Sequence, residues 1–207
     1  MKRWYEALPG VHGKVPLSDE TLASWPDQAM EERLQHLSFC PIALSEMYLL
    51  AQHLPMTVLE GPAGPELVAD LRPDRLQWPV FDVQGKLNLP YRPLALRMLP
   101  FFVEADGEVW RLADTAGESG PSRPPELQKR LCSILAAQAQ GRSRMRASLI
   151  GLIDEGFLVP ASTYGTSAIG ELVIETQALS TKNTFDDFLG LRLLNILLFS
   201  MNKLKSR

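Results

Sequence analysis

Glu46 is the acidic residue whose setting best suits chemistry, because apolar runs lie on both sides of it in SFCPIALSEMYLLAQHLPMTVLEG. An enclosed carboxylate can act as a general acid or base, or it can interact favourably with the first turn of a helix. No second carboxylate lies at a defined spacing from Glu46, which argues against acid–base catalysis. We therefore predict a structural role for Glu46, with Ser45 as the helix N-cap and contact with a partner as the alternative.

The other residue types that perform catalysis or bind metals are scattered. His12, His36 and His53 show none of the short spacings of metal-binding histidines. Cys40 and Cys132 form no CxxC pair, and a helix break before Cys40 would separate it from His36. The chain also lacks a GxSxG elbow and the glycine-rich phosphate-binding motifs. The sequence predicts no catalytic, metal-binding or cofactor-binding residue and two free cysteines.

The segment YRPLALRML offers two arginines on a short helix whose entry and exit are set by prolines. Arg97 could pair with a buried carboxylate such as Glu46, or it could bind the carboxylate of a partner. We predict a partner-binding site made by Tyr91, Arg92, Leu96 and Arg97. In the alternative, Tyr91, Arg92 and Arg97 line a pocket for a small molecule or peptide.

The composition is that of an ordinary globular protein, with 207 residues, 45% hydrophobic and 22% charged. The net charge of −3 gives no reason to expect nucleic-acid binding, and the run Arg142, Arg144, Arg146 is expected to be a solvated helix face. The N-terminus lacks the apolar region of a signal peptide, and the apolar segment 185–201 contains charged residues. We predict a cytoplasmic protein without stable membrane insertion.

Turn signals and periodicity predict an α+β protein with short antiparallel hairpins, one long helix and a buried C-terminal helix. Residues 1–37 form an N-terminal leader with short helices, and residues 38–207 form the α+β domain. The hairpin turns fall at GPAGP and at Asp106-Gly107. The long helix runs from about Pro125 to Glu155, with a kink or a junction of two helices near Gly141, where the apolar stripe is interrupted.

Several strings resemble the SapC family, named for surface-layer-related protein transport, over most of the chain from Ser38. They are CPIALSEMYLLAQHLPMTVL, YRPLALRMLPFFVE, the helix end LIDEGFLVP and the closing LLNILLFSMNKL. The resemblance implies the family's fold and an association with export or assembly of surface-layer-type proteins. It implies no catalytic residue.

Two functions follow from these observations. The first is a non-enzymatic cytoplasmic adaptor that binds a protein client or export component. The second is an accessory protein or enzyme that uses the pocket near Tyr91, Arg92 and Arg97. The absence of a recognisable catalytic motif favours the adaptor, and neither the client nor the oligomeric state follows from the sequence.

Overall fold

The computed structural model describes residues 4–25, 31–76, 78–114, 120–164, 170–181 and 187–205 of the chain. The strands are β1 (Val11–Pro16), β2 (Phe39–Pro41), β3 (Met56–Gly61), β4 (Gly64–Asp70), β5 (Phe101–Val103), β6 (Val109–Asp114), β7 (Leu158–Pro160) and β8 (Glu171–Ile174). The α-helices are α1 (Asp19–Ala23), α2 (Met47–Ala51), α3 (Leu94–Arg97), α4 (Pro125–Asp154), α5 (Thr176–Thr181) and α6 (Phe188–Lys205). The 3-10 helices are Trp4–Ala7, Glu31–His36, Pro73–Arg75 and Ala161–Tyr164.

The strands form two antiparallel sheets, one of three strands in the order β1-β6-β5 and one of five in the order β2-β4-β3-β8-β7. Both predicted hairpins are confirmed. Strands β3 and β4 turn between Gly61 and Gly64, which are opposite each other in the ladder, and β5 and β6 are joined through Asp106-Gly107. The antiparallel sheets and the helices packed on them confirm the α+β class.

The turn between β5 and β6 needs glycine for two reasons. Gly107 has a φ of 96°, in the left-handed region that side chains other than glycine rarely adopt. A Cβ atom there would also lie 2.4 Å from Ser143 Oγ of α4. The Ser143 hydroxyl donates a hydrogen bond to the Asp106 carbonyl at 2.9 Å. The tip of this hairpin is therefore held against α4.

Helix α4 is one helix of 30 residues, so the predicted junction of two helices near Gly141 is wrong. The interruption of its apolar stripe has another cause, since Gln138, Gly141 and Arg142 are all buried. A Cβ atom at position 141 would lie 3.1 Å from Leu44 Cβ, so glycine lets the chain after β2 approach the helix closely. The break in the pattern marks a polar contact inside the protein.

The N-terminal segment shares the main core, although the sequence analysis placed a boundary between residues 37 and 38. Tyr5 and Leu8 are buried in the same cluster as Leu34 and Leu37, and β1 pairs with β6. The predicted short helix after Pro16 is α1, whose N-cap Ser18 forms a capping box with Thr21. No separate core exists in the described part of residues 1–37.

Helix α6 buries one face against α4 and β3, through Leu193, Leu194, Ile196 and Leu197. The predicted start of this helix, Phe185, lies outside the described residues. Within the described residues, no helix has both the length and the apolar character to cross a membrane.

Arg142 links α4 to both sheets. Its guanidinium forms an ion pair with Glu66 of β4 and donates a hydrogen bond from Nη1 to the Val103 carbonyl of β5 at 2.5 Å. Only 5% of the side chain is exposed, and burial lowers the pKa of Arg142 to about 10, so it remains charged near neutral pH. The expectation that Arg142, Arg144 and Arg146 share a solvated face is therefore wrong, and of the three only Arg144 is exposed.

We predict that Arg142→Met lowers the free energy of unfolding by about 3 kcal/mol, because it leaves Glu66 without its partner inside the protein. The partial exposure of Glu66 places the loss at the lower end of the range for buried pairs. The melting temperature should fall by roughly 6 to 12 °C. Arg144→Met, on the exposed side of the same helix, is the control and should melt like the wild type. Equal melting temperatures for Arg142→Met and Arg144→Met would show that the contacts of Arg142 with the two sheets do not stabilise the fold.

Candidate functional site

The Glu46 carboxylate joins three parts of the chain. Its Oε1 accepts a hydrogen bond from the backbone N–H of Ala43 at 3.0 Å, and its Oε2 accepts one from the N–H of Leu94 at 2.8 Å. The Tyr91 hydroxyl also acts on the carboxylate and lowers the pKa of Glu46. The residue is 3% exposed. Glu46 thus stabilises the start of α3, which lies 48 positions later in the chain. Because the carboxylate is buried, it cannot contact a partner.

Ser45 is not the N-cap of α2, so that prediction is wrong. Glu46 occupies the N-cap position without a side-chain cap bond, and Ser45 is exposed. The Glu46 N–H donates to the Ala43 carbonyl in a tight turn, which places the helix start one residue later than expected. The carboxylate supplies a cap to α3, whose own N-cap, Pro93, has no side-chain acceptor.

Burial raises the pKa of Glu46, while the hydrogen bonds from Ala43, Leu94 and Tyr91 and the nearby charge of Arg97 oppose that rise. The Cys40 thiol is completely buried beside Glu46. Its pKa is raised by burial first and by the charge of Glu46 second, and the charge of Arg142 acts in the opposite direction. A buried thiol with a raised pKa is a poor nucleophile. Cys40 is therefore a structural residue.

The four residues predicted to bind a partner do not form one surface. Leu96 is 1% exposed and belongs to the main core, so its prediction as a contact residue is wrong. Ala95 and Leu96 of the short helix α3 are buried, and α3 packs against β2. Tyr91 and Arg92 are half-buried, and Arg97 is exposed with its guanidinium 6.0 Å from the centre of the Tyr91 ring.

The predicted ion pair between Glu46 and Arg97 is also absent, since no described ion pair joins them within 4.0 Å. The structure shows a cavity of about 510 Å³ between β3, β8 and α6, and it is lined by none of Tyr91, Arg92 and Arg97. Across the described ranges, no group of three or more His, Cys, Asp or Glu residues is arranged to hold a metal ion.

An exposed apolar surface lies instead where α2 meets α6. We define the α2–α6 surface by Tyr48 and Leu49 of α2 and by Phe188, Leu191 and Arg192 of α6. Phe188 is 73% exposed, and Tyr48, Leu49 and Leu191 are each exposed by 40% or more. Exposed residues recur along α6 at positions 188, 191, 195, 199 and 202, which is the three-to-four spacing of one helix face. A cluster of exposed large apolar side chains is typical of a binding surface.

Arg192 occupies the centre of the α2–α6 surface. Its Nε donates a hydrogen bond to the Tyr48 hydroxyl at 2.7 Å, and its guanidinium lies 4.7 Å from the Tyr48 ring centre and 5.7 Å from that of Phe188. These contacts hold the cation between two aromatic rings. Within the described chain Arg192 has no carboxylate partner. The remaining guanidinium N–H groups can therefore receive a carboxylate from outside.

The sequence did not lead to this surface because the C-terminal helix was predicted to be buried as a whole. A signal was present, since Phe188, Leu191 and Phe199 recur at helical spacing on a face different from that of Leu193 and Leu197. Two apolar faces on one helix indicate one contact inside the protein and a second contact elsewhere. The contribution of Tyr48 could not be found this way, because it depends on the docking of α2 beside α6.

We predict that Glu46→Gln lowers the free energy of unfolding by about 1 to 3 kcal/mol, because an amide cannot accept hydrogen bonds at both of its terminal atoms. Chemical denaturation measures the loss. Glu60→Gln changes the same group at an exposed site and is the matched control. Arg97→Met should change stability by less than about 0.5 kcal/mol, since Arg97 is exposed. A larger loss of unfolding free energy for Arg97→Met than for Glu46→Gln would instead support the ion pair between Glu46 and Arg97 that the sequence predicted.

Because the pKa of Glu46 is raised in the folded state, the contribution of this residue to stability falls as the pH rises. A carboxyl that binds its proton more tightly in the folded state stabilises the fold below its unfolded pKa of about 4.3, and this contribution is lost as pH rises through the folded pKa. The stability lost in Glu46→Gln should therefore be larger at pH 5 than at pH 7. Chemical denaturation of the wild type and of Glu46→Gln at each pH measures the difference. If the stability lost in Glu46→Gln grows as the pH rises, the hydrogen bonds have a larger effect on the pKa of Glu46 than its burial.

Comparison of the chain with protein-family models, with curated proteins and with solved structures finds no match.

Proposed function

We propose that this protein is a non-enzymatic cytoplasmic adaptor that binds a protein partner through the α2–α6 surface. The observation that supports this most directly is the arrangement of Arg192 between Tyr48 and Phe188 on an exposed apolar face. Aromatic residues and arginine are the types most enriched in protein interfaces and in their energetically dominant positions. In this proposal the partner binds the α2–α6 surface and not the residues around α3 that the sequence predicted.

The chemistry of the surface defines the partner segment. Phe188, Leu191 and Leu49 require apolar side chains on the partner, and Arg192 requires a carboxylate that can form two parallel hydrogen bonds with a guanidinium. The exposed stripe on α6 is long and narrow, which suits an amphipathic helix with an acidic residue beside its apolar face. We therefore propose a helical segment of another protein as the occupant.

The resemblance of the strings around Ser45, Arg97 and Asn195 to the SapC family supports a role in the export or assembly of surface-layer-type proteins. In this proposal the partner is a client protein or an export component. The described residues offer no clustered metal ligands, and the buried setting of Cys40 is unsuited to nucleophilic catalysis. Both observations favour binding over turnover.

A photo-crosslinking amino acid at position 191 tests the proposal in native cells. We expect it to capture a discrete protein, whereas the same amino acid at position 83, which is fully exposed in a loop away from α2 and α6, should not. The captured protein is then purified, and its affinity is measured for the wild type and for Phe188→Ser with Leu191→Ser. We expect a loss of at least about tenfold, as for residues central to an interface.

Three further results decide the outcome. Arg192→Gln should weaken the same complex, and Val83→Ser should not. Replacing the acidic residue of the partner segment by lysine should also weaken it. Equal capture at positions 191 and 83, or an affinity unchanged by the double substitution, would refute the proposal. Capture of a second copy of this chain, with a dimer in sedimentation experiments, would show that the surface mediates self-association.

A further inference from the structure

A cavity of about 510 Å³ lies where strands β3 and β8 separate. On this side of the sheet, the ladder between the two strands ends at the pair of Val58 with Leu172. Beyond that pair, the backbone N–H of Met56 in β3 donates to the buried Ser200 hydroxyl of α6 at 3.0 Å. Helix α6 thus satisfies a backbone donor beside the opening, so the strands separate there without leaving that N–H group unpaired.

Most of the walls of this cavity are apolar. Their aliphatic side chains come from three elements, namely Met56 of β3, Leu172, Val173 and Ile174 of β8, and Leu197 and Met201 of α6. The volume lies within the range of roughly 300 to 1,000 Å³ that is typical of small-molecule sites. An apolar space of this size between a sheet and a helix is suited to an aliphatic group.

The two arginines that line the cavity each have a carboxylate partner. Arg72 donates from Nε to Asp70 Oδ1 at 2.9 Å and from Nη2 to Asp70 Oδ2 at 2.6 Å, which is the two-bond arrangement of a guanidinium with one carboxylate. Arg75 Nε lies 3.5 Å from Asp74 Oδ2. Each of these two pairs carries no net charge. Neither arginine therefore gives the cavity a preference for an anion.

Glu171 is the carboxylate that remains. Its Oε1 lies 2.7 Å from Arg72 Nη2, the same nitrogen that donates to Asp70. Within the described part of the chain, Glu171 Oε2 has no donor, and the side chain is only 11% exposed. A carboxylate that is largely withdrawn from water and has only a shared cation costs free energy. The group that would complete this end of the cavity is a second cation with an N–H donor.

We propose that this cavity binds an amphipathic cation, namely a medium-length aliphatic chain that ends in a primary ammonium group. The aliphatic chain lies against the walls formed by β3, β8 and α6, and the ammonium group donates a hydrogen bond to Glu171 Oε2. An ammonium is compact and carries three N–H donors, which suits a single carboxylate oxygen beside an apolar wall. The site is separate from the α2–α6 surface and does not depend on the proposed partner.

Isothermal titration of the full chain with octylammonium, octanol and octanoate, each below the concentration at which it aggregates, tests the ligand class. We expect one octylammonium per chain, bound at least about tenfold more tightly than octanol or octanoate, because only the ammonium offers a cation to Glu171. Equal or tighter binding of either of the other two probes would overturn the proposal, and so would the absence of binding by all three.

Glu171→Gln tests the residue, because it removes the charge and keeps the shape of the side chain. It should weaken octylammonium binding by at least about tenfold and leave octanol binding unchanged. The fold should persist, since Arg72 keeps its two bonds to Asp70, and the melting temperature checks this. Glu108→Gln, at an exposed carboxylate of the other sheet's hairpin, makes the same change of net charge and is the matched control. Equal octylammonium affinity of the two variants would overturn the proposal.

The position of the ligand is tested first in the wild type, which needs no variant to fold. Amide shifts caused by octylammonium in the NMR spectrum should centre on Thr57, Leu172 and Ile174. Val173→Phe then fills part of the cavity and should weaken binding of both octylammonium and octanol, whereas Val15→Phe, in the other sheet, should weaken neither. Shifts centred on the α2–α6 surface, or unchanged binding in Val173→Phe, would place the ligand elsewhere and overturn the proposal.

Discussion

The buried guanidinium of Arg142 is the interaction on which the arrangement of the two sheets depends. A charge at the centre of a long helix has to be neutralised and hydrogen-bonded, and the two groups that do so come from different sheets, Glu66 from β4 and the Val103 carbonyl from β5. These contacts determine which turn of α4 faces each sheet. The neighbouring Gly141 then allows the chain after β2 to pass close to the helix.

Glu46 extends this polar interior from α4 toward the surface. Its charge and that of Arg142 both act on the Cys40 thiol, which places the three residues in one buried region. The carboxylate also determines where α3 begins, through Leu94, and it lies directly before α2. Because its carboxylate also accepts a hydrogen bond from the Ala43 N–H, Glu46 holds the turn that leads into α2, the helix that carries Tyr48. A residue with no contact to the partner thus supports the surface that we propose for binding.

Local signals in the sequence were sufficient for elements whose geometry depends on neighbouring residues. The turns at GPAGP and at Asp106-Gly107 and the long helix from about Pro125 to Glu155 all follow from backbone preferences. The prediction for Leu96 failed because its burial depends on distant contacts, whereas the prediction for Ser45 failed because a local turn, in which the Glu46 N–H donates to the Ala43 carbonyl, starts α2 one residue later. Glu46 caps a helix 48 residues away, and Leu96 is buried by packing that its own segment cannot reveal. Arg142 resembled a surface residue because its partners lie on remote strands.

Helix α6 contributes to three different parts of the protein along its length, namely the α2–α6 surface, the main core and the cavity beside β3 and β8. Phe188 and Leu191 lie near its N-terminus, while Ser200 and Met201 lie beside the cavity. Met201 comes thirteen positions after Phe188, which is about 20 Å along a helix. Between them, Leu193, Leu194 and Ile196 are buried in the main core. The cavity therefore lies at the opposite end of the helix from the α2–α6 surface. Because the intervening turns are packed on α4, one site can affect the other only if α6 shifts as a rigid unit, which would disturb the same core contacts that hold it in place.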